Sequence, residues 1–234
     1  PKKAPKPKVP VELKDYGFVA VCMGKGITNI LKDLGVDRVI EGGQTMNPST
    51  DDILKAVKRV KAKTVYVFPN NKNIIMAANQ AAELVEDKKI VVIPSKSVPQ
   101  CISAMVEFND KKSAEANEKA MNKAIGRVTS GQLTYAVRDT EIDGIEIKKD
   151  DILGMVEGKI VTVGKDIDDV LNRVVSQMVD EDTEFLNVYY GKEIKKPQAD
   201  VMLKALETKY ADDEIEVSFK KGGQPLYYYI ISAE

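Results

Sequence analysis

The residues able to do chemistry gather in short polar runs, each placed directly after an apolar stretch. The longest is Gly42–Gly43–Gln44–Thr45–Met46–Asn47–Pro48–Ser49–Thr50, and others are Met23–Gly24–Lys25–Gly26, Asn70–Asn71–Lys72–Asn73 and Ser95–Lys96–Ser97. They offer amides, hydroxyls and backbone N–H groups, which hold a partner or an anionic head group but do not shuttle protons near neutral pH. The chain has no histidine, which removes Ser–His–Asp and Cys–His catalysis, imidazole acid–base work and His-ligated zinc. Its two cysteines, Cys22 and Cys101, are too few for an all-Cys zinc site or a disulfide framework. Cys22 reads as core, and Cys101 lies near a helix start, where a thiol pKa can fall. Gly24–Lys25–Gly26 lacks the third glycine and the acidic partner of a dinucleotide fingerprint, and no GxxxxGK[ST] run occurs. Asp166, Asp168 and Asp169 sit where a helix begins and read as capping residues rather than a metal cluster.

Strand-to-helix alternation positions these runs. Apolar strands at 18–22, 36–40, 64–68 and 90–93 alternate with amphipathic helices through Ile27–Leu34, 51–61 and Ile74–Val85. Short buried strands separated by helices predict a parallel sheet covered on both faces. Right-handed crossovers then bring every strand-to-helix loop to one edge, where they form one contiguous polar rim. In the long loop, two glycines permit close backbone approach, and Ser49 or Thr50 caps the helix that carries Asp51 and Asp52 in its first turn.

Polar residues 108–113 mark a lobe boundary. A helix through Ala114–Val128 follows, then strands at 133–137, 145–147, 159–163, 185–190, 215–219 and 226–231. Helices run through Ile167–Met178 and Ala199–Tyr210. Asp143–Gly144 reads as a hairpin turn. Arg138–Asp139 is either a local ion pair or a surface contact pair. Strand alternation would put Tyr227 and Tyr229 on one face and Tyr228 on the other. The organisation expected is thus a Lys/Pro-rich linker over 1–15, a parallel α/β lobe over 16–112 and a mixed α/β lobe over 113–234. A linker with nothing ahead of it, in a chain that lacks an initiator Met, implies that another domain has been cut away.

The chain has 234 residues, 43% hydrophobic and 30% charged, with a net charge of -1. That balance buries a real core and gives no global attraction to nucleic acid or anionic membrane. No run reaches the ~20 apolar residues of a transmembrane helix, and the N-terminus lacks a signal-peptide core. A reduced, cytoplasmic setting follows as the expectation.

Five motifs occur in order: GGQTMNPST at 42–50, PNNKNI at 69–74, PSKSVPQ at 94–100, AVRDT at 136–140 and GGQPLYYY at 222–229. Together they resemble the carboxy-terminal region of the bacterial fatty-acid kinase catalytic subunit, also described as dihydroxyacetone-kinase-like or DAK-phosphatase-like. The resemblance covers residue 16 to the end and departs from it at Cys101, where a glycine is expected. It implies a two-lobed DegV-like (EDD-type) α/β fold. It also implies that ATP and magnesium belong to a kinase domain outside this chain, and that this fragment has no cofactor or catalytic residue of its own. The implied role, in fatty acid metabolism and phospholipid synthesis, is to dock a DegV-like fatty-acid-binding protein so that its acyl carboxylate is phosphorylated. Loop placement plus resemblance gives the contact residues as Gln44, Thr45, Asn47, Asn70, Asn71, Asn73, Ser95, Ser97 and Arg138. The competing readings are a fatty acid held between the lobes and, more remotely, autonomous phosphatase or transferase activity.

Overall fold

The computed structural model describes residues 12–43 and 45–234. Most of the Lys/Pro-rich linker and Gln44 therefore lie outside the described residues. The first sheet comprises β1 (Lys14–Cys22), β2 (Arg38–Glu41), β3 (Ala62–Phe68) and β4 (Lys89–Val92), all parallel in the order β2-β1-β3-β4. Helices α1 (Lys25–Asp33), α4 (Val98–Glu107) and α5 (Ala114–Ile125) cover one face; α2 (Thr50–Arg59) and α3 (Ile75–Glu83) cover the other. Both faces of β1 and β3 are consequently apolar: Phe18, Ala20 and Tyr66 pack toward α1, α4 and α5, and Val19, Val21 and Val67 toward α2 and α3. The strand order reverses direction between β1 and β3, the point at which sheets of this kind open a crevice at their carboxyl ends.

Helix α5 closes the first layer. Met121 is fully buried among Phe18, Tyr66 and Met105, and the Tyr66 hydroxyl donates to the Ala114 carbonyl at 3.0 Å. The second sheet follows: β5 (Thr129–Tyr135), β8 (Ile152–Val156), β9 (Lys159–Gly164), β10 (Phe185–Tyr190), β11 (Glu216–Lys221) and β12 (Tyr229–Ala233), ordered β11-β10-β12-β5-β8-β9. Only β10 and β11 pair in parallel, joined by α7 (Lys196–Lys209); the rest is antiparallel. Helix α6 (Ile167–Met178) lays Val170, Leu171, Val174 and Val175 across this sheet, and Gly131 and Gly154 leave room for them. Asp166 caps α6 by accepting from the Asp169 amide at 2.8 Å, while Asp169 pairs with Arg173 at 2.5 Å.

A third, two-stranded sheet of β6 (Thr140–Ile142) and β7 (Ile145–Ile147) belongs to neither main sheet. Its turn is the expected one, with Asp143 at φ 51° and Gly144 at φ 77°. Two local expectations are corrected. Arg138 and Asp139 form no ion pair: Asp139 accepts from the Lys149 amide at 2.8 Å and lies 4.0 Å from the Lys148 ammonium. Tyr227 and Tyr229 share no face, because β12 starts only at Tyr229 after Leu226 has turned the chain at φ 70°. Tyr229 is buried against Phe219 in the second core, and Tyr228 packs on Tyr135.

Candidate functional site: the rim and the cleft between lobes

The loops after β1, β2, β3 and β4 meet at one edge and face the second sheet across a cleft of about 280 Å³. The first lobe lines it with Val21, Cys22 and Met23, Gly42–Gly43, Pro69–Asn73 and Lys96–Val98. The second contributes Ser130–Gln132, Met155, Glu157, Gln224, Tyr227 and Ile230.

Close backbone contact joins the two walls. The Ile27 amide donates to the Gly222 carbonyl at 3.1 Å, and a Cβ on Gly26 would sit 1.8 Å from the Lys221 carbonyl oxygen. A Cβ on Gly24, at φ 98°, would lie 2.6 Å from the Gln224 amide nitrogen. Gly24–Lys25–Gly26 therefore meets a facing backbone rather than a pyrophosphate. The Ser97 and Ser130 hydroxyls meet at 2.7 Å, and Ser97 also caps α4. Gln224, 2% exposed, donates through Nε2 to the Tyr189 carbonyl at 2.8 Å and leaves its Oε1 unpartnered.

The predicted contact residues separate into three groups. Thr45 and Asn47 are exposed on the long loop, beside Met46 at 66% exposure. Mutual hydrogen bonds of 3.2 Å between Gly43 and Met46 close this loop, and a capping box between Ser49 and Asp52 fixes its far end. Gly42 is needed there, since a Cβ would come within 2.7 Å of the Met46 carbonyl oxygen.

Asn70, Asn71, Asn73 and Ser97 line the cleft. Asn70, in a left-handed conformation at φ 56°, pins the edge together: it donates to the Val21 carbonyl at 2.8 Å and accepts from Ser95 Oγ at 2.7 Å. Asn71 accepts from the Asn73 amide at 2.9 Å, which orients its Nδ2 donor away from that bond.

Ser95 and Arg138 are brought to neither place. Ser95 is fully buried with its hydroxyl committed to Asn70, and Arg138 is exposed at the root of the β6–β7 hairpin, outside the cleft lining.

Chemically, this lining binds rather than transforms. Burial pushes the thiol pKa values of Cys22 and Cys101 upward; for Cys101 the desolvation deep in α4 overrides the helix end that was expected to lower it. Burial likewise pushes Tyr227 up to about 12, leaving a neutral phenol at physiological pH. Glu157 is occupied by the Ser130 amide at 2.6 Å. Lys72 and Lys96 are exposed at the mouth, with no ion-pair partner among the described residues. Sequence reasoning missed the second-lobe wall because β8, which carries Met155, alternates too weakly to stand out. The GGQ run at 222–224 was its one visible signal.

No helix among the described residues is long and apolar enough to cross a membrane. The chain is 48% identical over 227 residues to the protein YloV of Bacillus subtilis, an alignment covering 97% of this chain and 40% of YloV. It thus spans about two fifths of the length of the curated relatives it matches. In fold it is similar to the DegV family protein Cg2579 of Corynebacterium glutamicum (TM-score 0.65, 14% identity, 94% of this chain and 97% of that one). It is also similar to the fatty acid kinase Fak B3 protein of Streptococcus pneumoniae, solved with linoleic acid (TM-score 0.55, 10% identity, 94% and 99%). These likenesses establish the two-lobed DegV-like fold. The model for the FakA-like C-terminal family of fatty acid kinase proteins matches residues 17–234, and the chain belongs to that family.

Proposed function

We propose that this chain is the module of a fatty acid kinase that docks a DegV-type fatty-acid-binding protein, through the rim of its first lobe. The carrying observation is the loop 42–50, which presents Thr45, Met46 and Asn47 outward while its own ends are tied by the Gly43–Met46 bonds and the Ser49–Asp52 box. A loop held rigid around an exposed methionine, flanked by amides, suits a protein contact that loses little entropy on binding. Docking supplies proximity. It raises the effective concentration of an acyl carboxylate near a phosphoryl donor bound elsewhere in the longer protein. Phosphorylation itself belongs to that remainder, together with any ATP and magnesium. In this reading the rest of the kinase chain is a second partner, and the setting is cytoplasmic.

Calorimetric titration with a fatty-acid-loaded DegV-type protein tests this. Saturable one-to-one binding that Thr45→Ala/Met46→Ala/Asn47→Ala weakens about tenfold or more supports the rim, on the scale of a few lost interface contacts. Unchanged binding by a folded triple variant sinks it.

One observation favours a second reading, a fatty acid held between the lobes. Val21, Ile27, Tyr227 and Ile230 form an apolar patch next to the Ser97 hydroxyl. The cleft volume of about 280 Å³ lies at the lower edge of ligand-sized pockets, too little to enclose a long acyl chain, so docking ranks first. Native mass spectrometry separates them: co-purified lipid supports the second reading, and lipid-free protein that binds the carrier supports the first.

A further inference from the structure

The hairpin of β6 and β7 pairs with neither main sheet, so its two edges carry no neighbouring strand among the described residues. Isolated two-stranded hairpins are marginal in water, and this one is anchored at its root by Ile147, which is fully buried. On the face that Ile147 shares, Ile142 and Ile145 stand opposite one another, 41% and 37% exposed, beyond the body of the lobe. The other face carries Glu141 directly across from Glu146. Like charges facing each other on paired strands destabilise a hairpin. Residues 140–147 hold three acidic side chains and no basic one, in a protein whose net charge is only -1. Relief comes only at the root, where Lys148 pairs with Glu146; Glu141 and Asp143 have no ion-pair partner among the described residues.

We infer that this hairpin is a docking arm for a basic protein surface, its isoleucines seated on an apolar patch and its glutamates on flanking Lys or Arg side chains. An apolar centre with a charged rim is the general anatomy of protein interfaces, and charge complementarity selects the partner's sign. The arm engages the same DegV-type protein as the rim, so this inference rests on the docking reading and adds a second contact, from the other lobe. The intramolecular cost of the Glu141–Glu146 pair is recovered when partner cations neutralise it.

The test is titration of a DegV-type fatty-acid-binding protein against wild type, Glu141→Gln/Glu146→Gln and Glu141→Lys/Glu146→Lys, at about 0.05 M and about 0.5 M salt. The Lys pair is expected to lose about tenfold in affinity at low salt and the Gln pair about threefold, with both deficits shrinking at high salt. Thermal melts are run alongside. The Gln pair, relieved of repulsion, melts at or above wild type while binding more weakly, which a merely structural role for the glutamates would not give. If the Lys pair is poorly folded, the salt dependence of the Gln pair decides. Wild-type affinity and salt dependence in both charge variants would overturn the arm and leave rim docking standing. No binding by wild type would overturn rim docking and the arm together.

Discussion

Replacing Gly26 by alanine probes the contact that seats one lobe on the other. Gly26 lies in the first turn of α1, where alanine alone would favour the helix by about 1 kcal/mol. Against that, its Cβ would sit 1.8 Å from the Lys221 carbonyl oxygen and 2.9 Å from that of Gly222. Both obstacles are backbone, so relief requires the β11 end to move. Overpacking of that kind costs up to about 3 kcal/mol. Separation of the turns also removes the Ile27–Gly222 hydrogen bond of 3.1 Å, worth about 1 kcal/mol. The net loss is about 3 kcal/mol, or a fall in Tm of about 6–12 °C for a chain of this size. Gly126→Ala is the control: Gly126 has φ -75° and the nearest atom to its Cβ would be 3.5 Å away, so its melt should match wild type or rise slightly. Differential scanning calorimetry of both variants reads the difference. A Gly26→Ala melt within a degree or two of Gly126→Ala would refute the claim that these glycines exist for close approach between the lobes.

Three further outcomes follow from the geometry. Ser49→Ala removes the cap of α2 and half of its capping box, and should lower Tm by about 2–4 °C. The same box holds the Asp52 carboxyl below its ordinary value of 3.8, chiefly through the Ser49 side chain. A lowered folded pKa stabilises above the unfolded value, so this contribution is present at neutral pH and is lost as pH falls below 3.8 through the depressed value. In Ser49→Ala the acid side of the stability curve should flatten, as followed by circular dichroism. Cys22 and Cys101, both buried with raised pKa values, should react with a thiol reagent at pH 7–8 only after unfolding; rapid labelling of native Cys101 would contradict its placement.

The first lobe was largely legible because its strands are buried on both faces. Phe18–Cys22 and Thr64–Phe68 read as unbroken apolar runs, and parallel topology then fixes where every loop emerges. The rim was therefore visible before any coordinates, and Asn70, Asn71, Asn73 and Ser97 do gather at one cleft. Ser95 could not be sorted from them, because an identical hydroxyl two residues away differs only in whether Asn70 stands against it. Helix α4 was missed as an element since Pro99 near its start reads as a breaker, although proline suits a first turn. In the second lobe, β8 packs Gly154 against Val174, and a glycine at that point erases the strand pattern while serving the packing. Tyr227–Tyr229 misled for a related reason: alternation holds only inside a strand, and the turn through Leu226 delays the strand to Tyr229.

The most direct test of rim docking is amide hydrogen exchange on this chain, with and without a fatty-acid-loaded DegV-type protein at saturating concentration. The account predicts new protection across 42–50 and 69–73, with the helix-covered outer surface of α7 unchanged. Protection confined to other surfaces, with exchange at 42–50 unaltered by a bound partner, would contradict it.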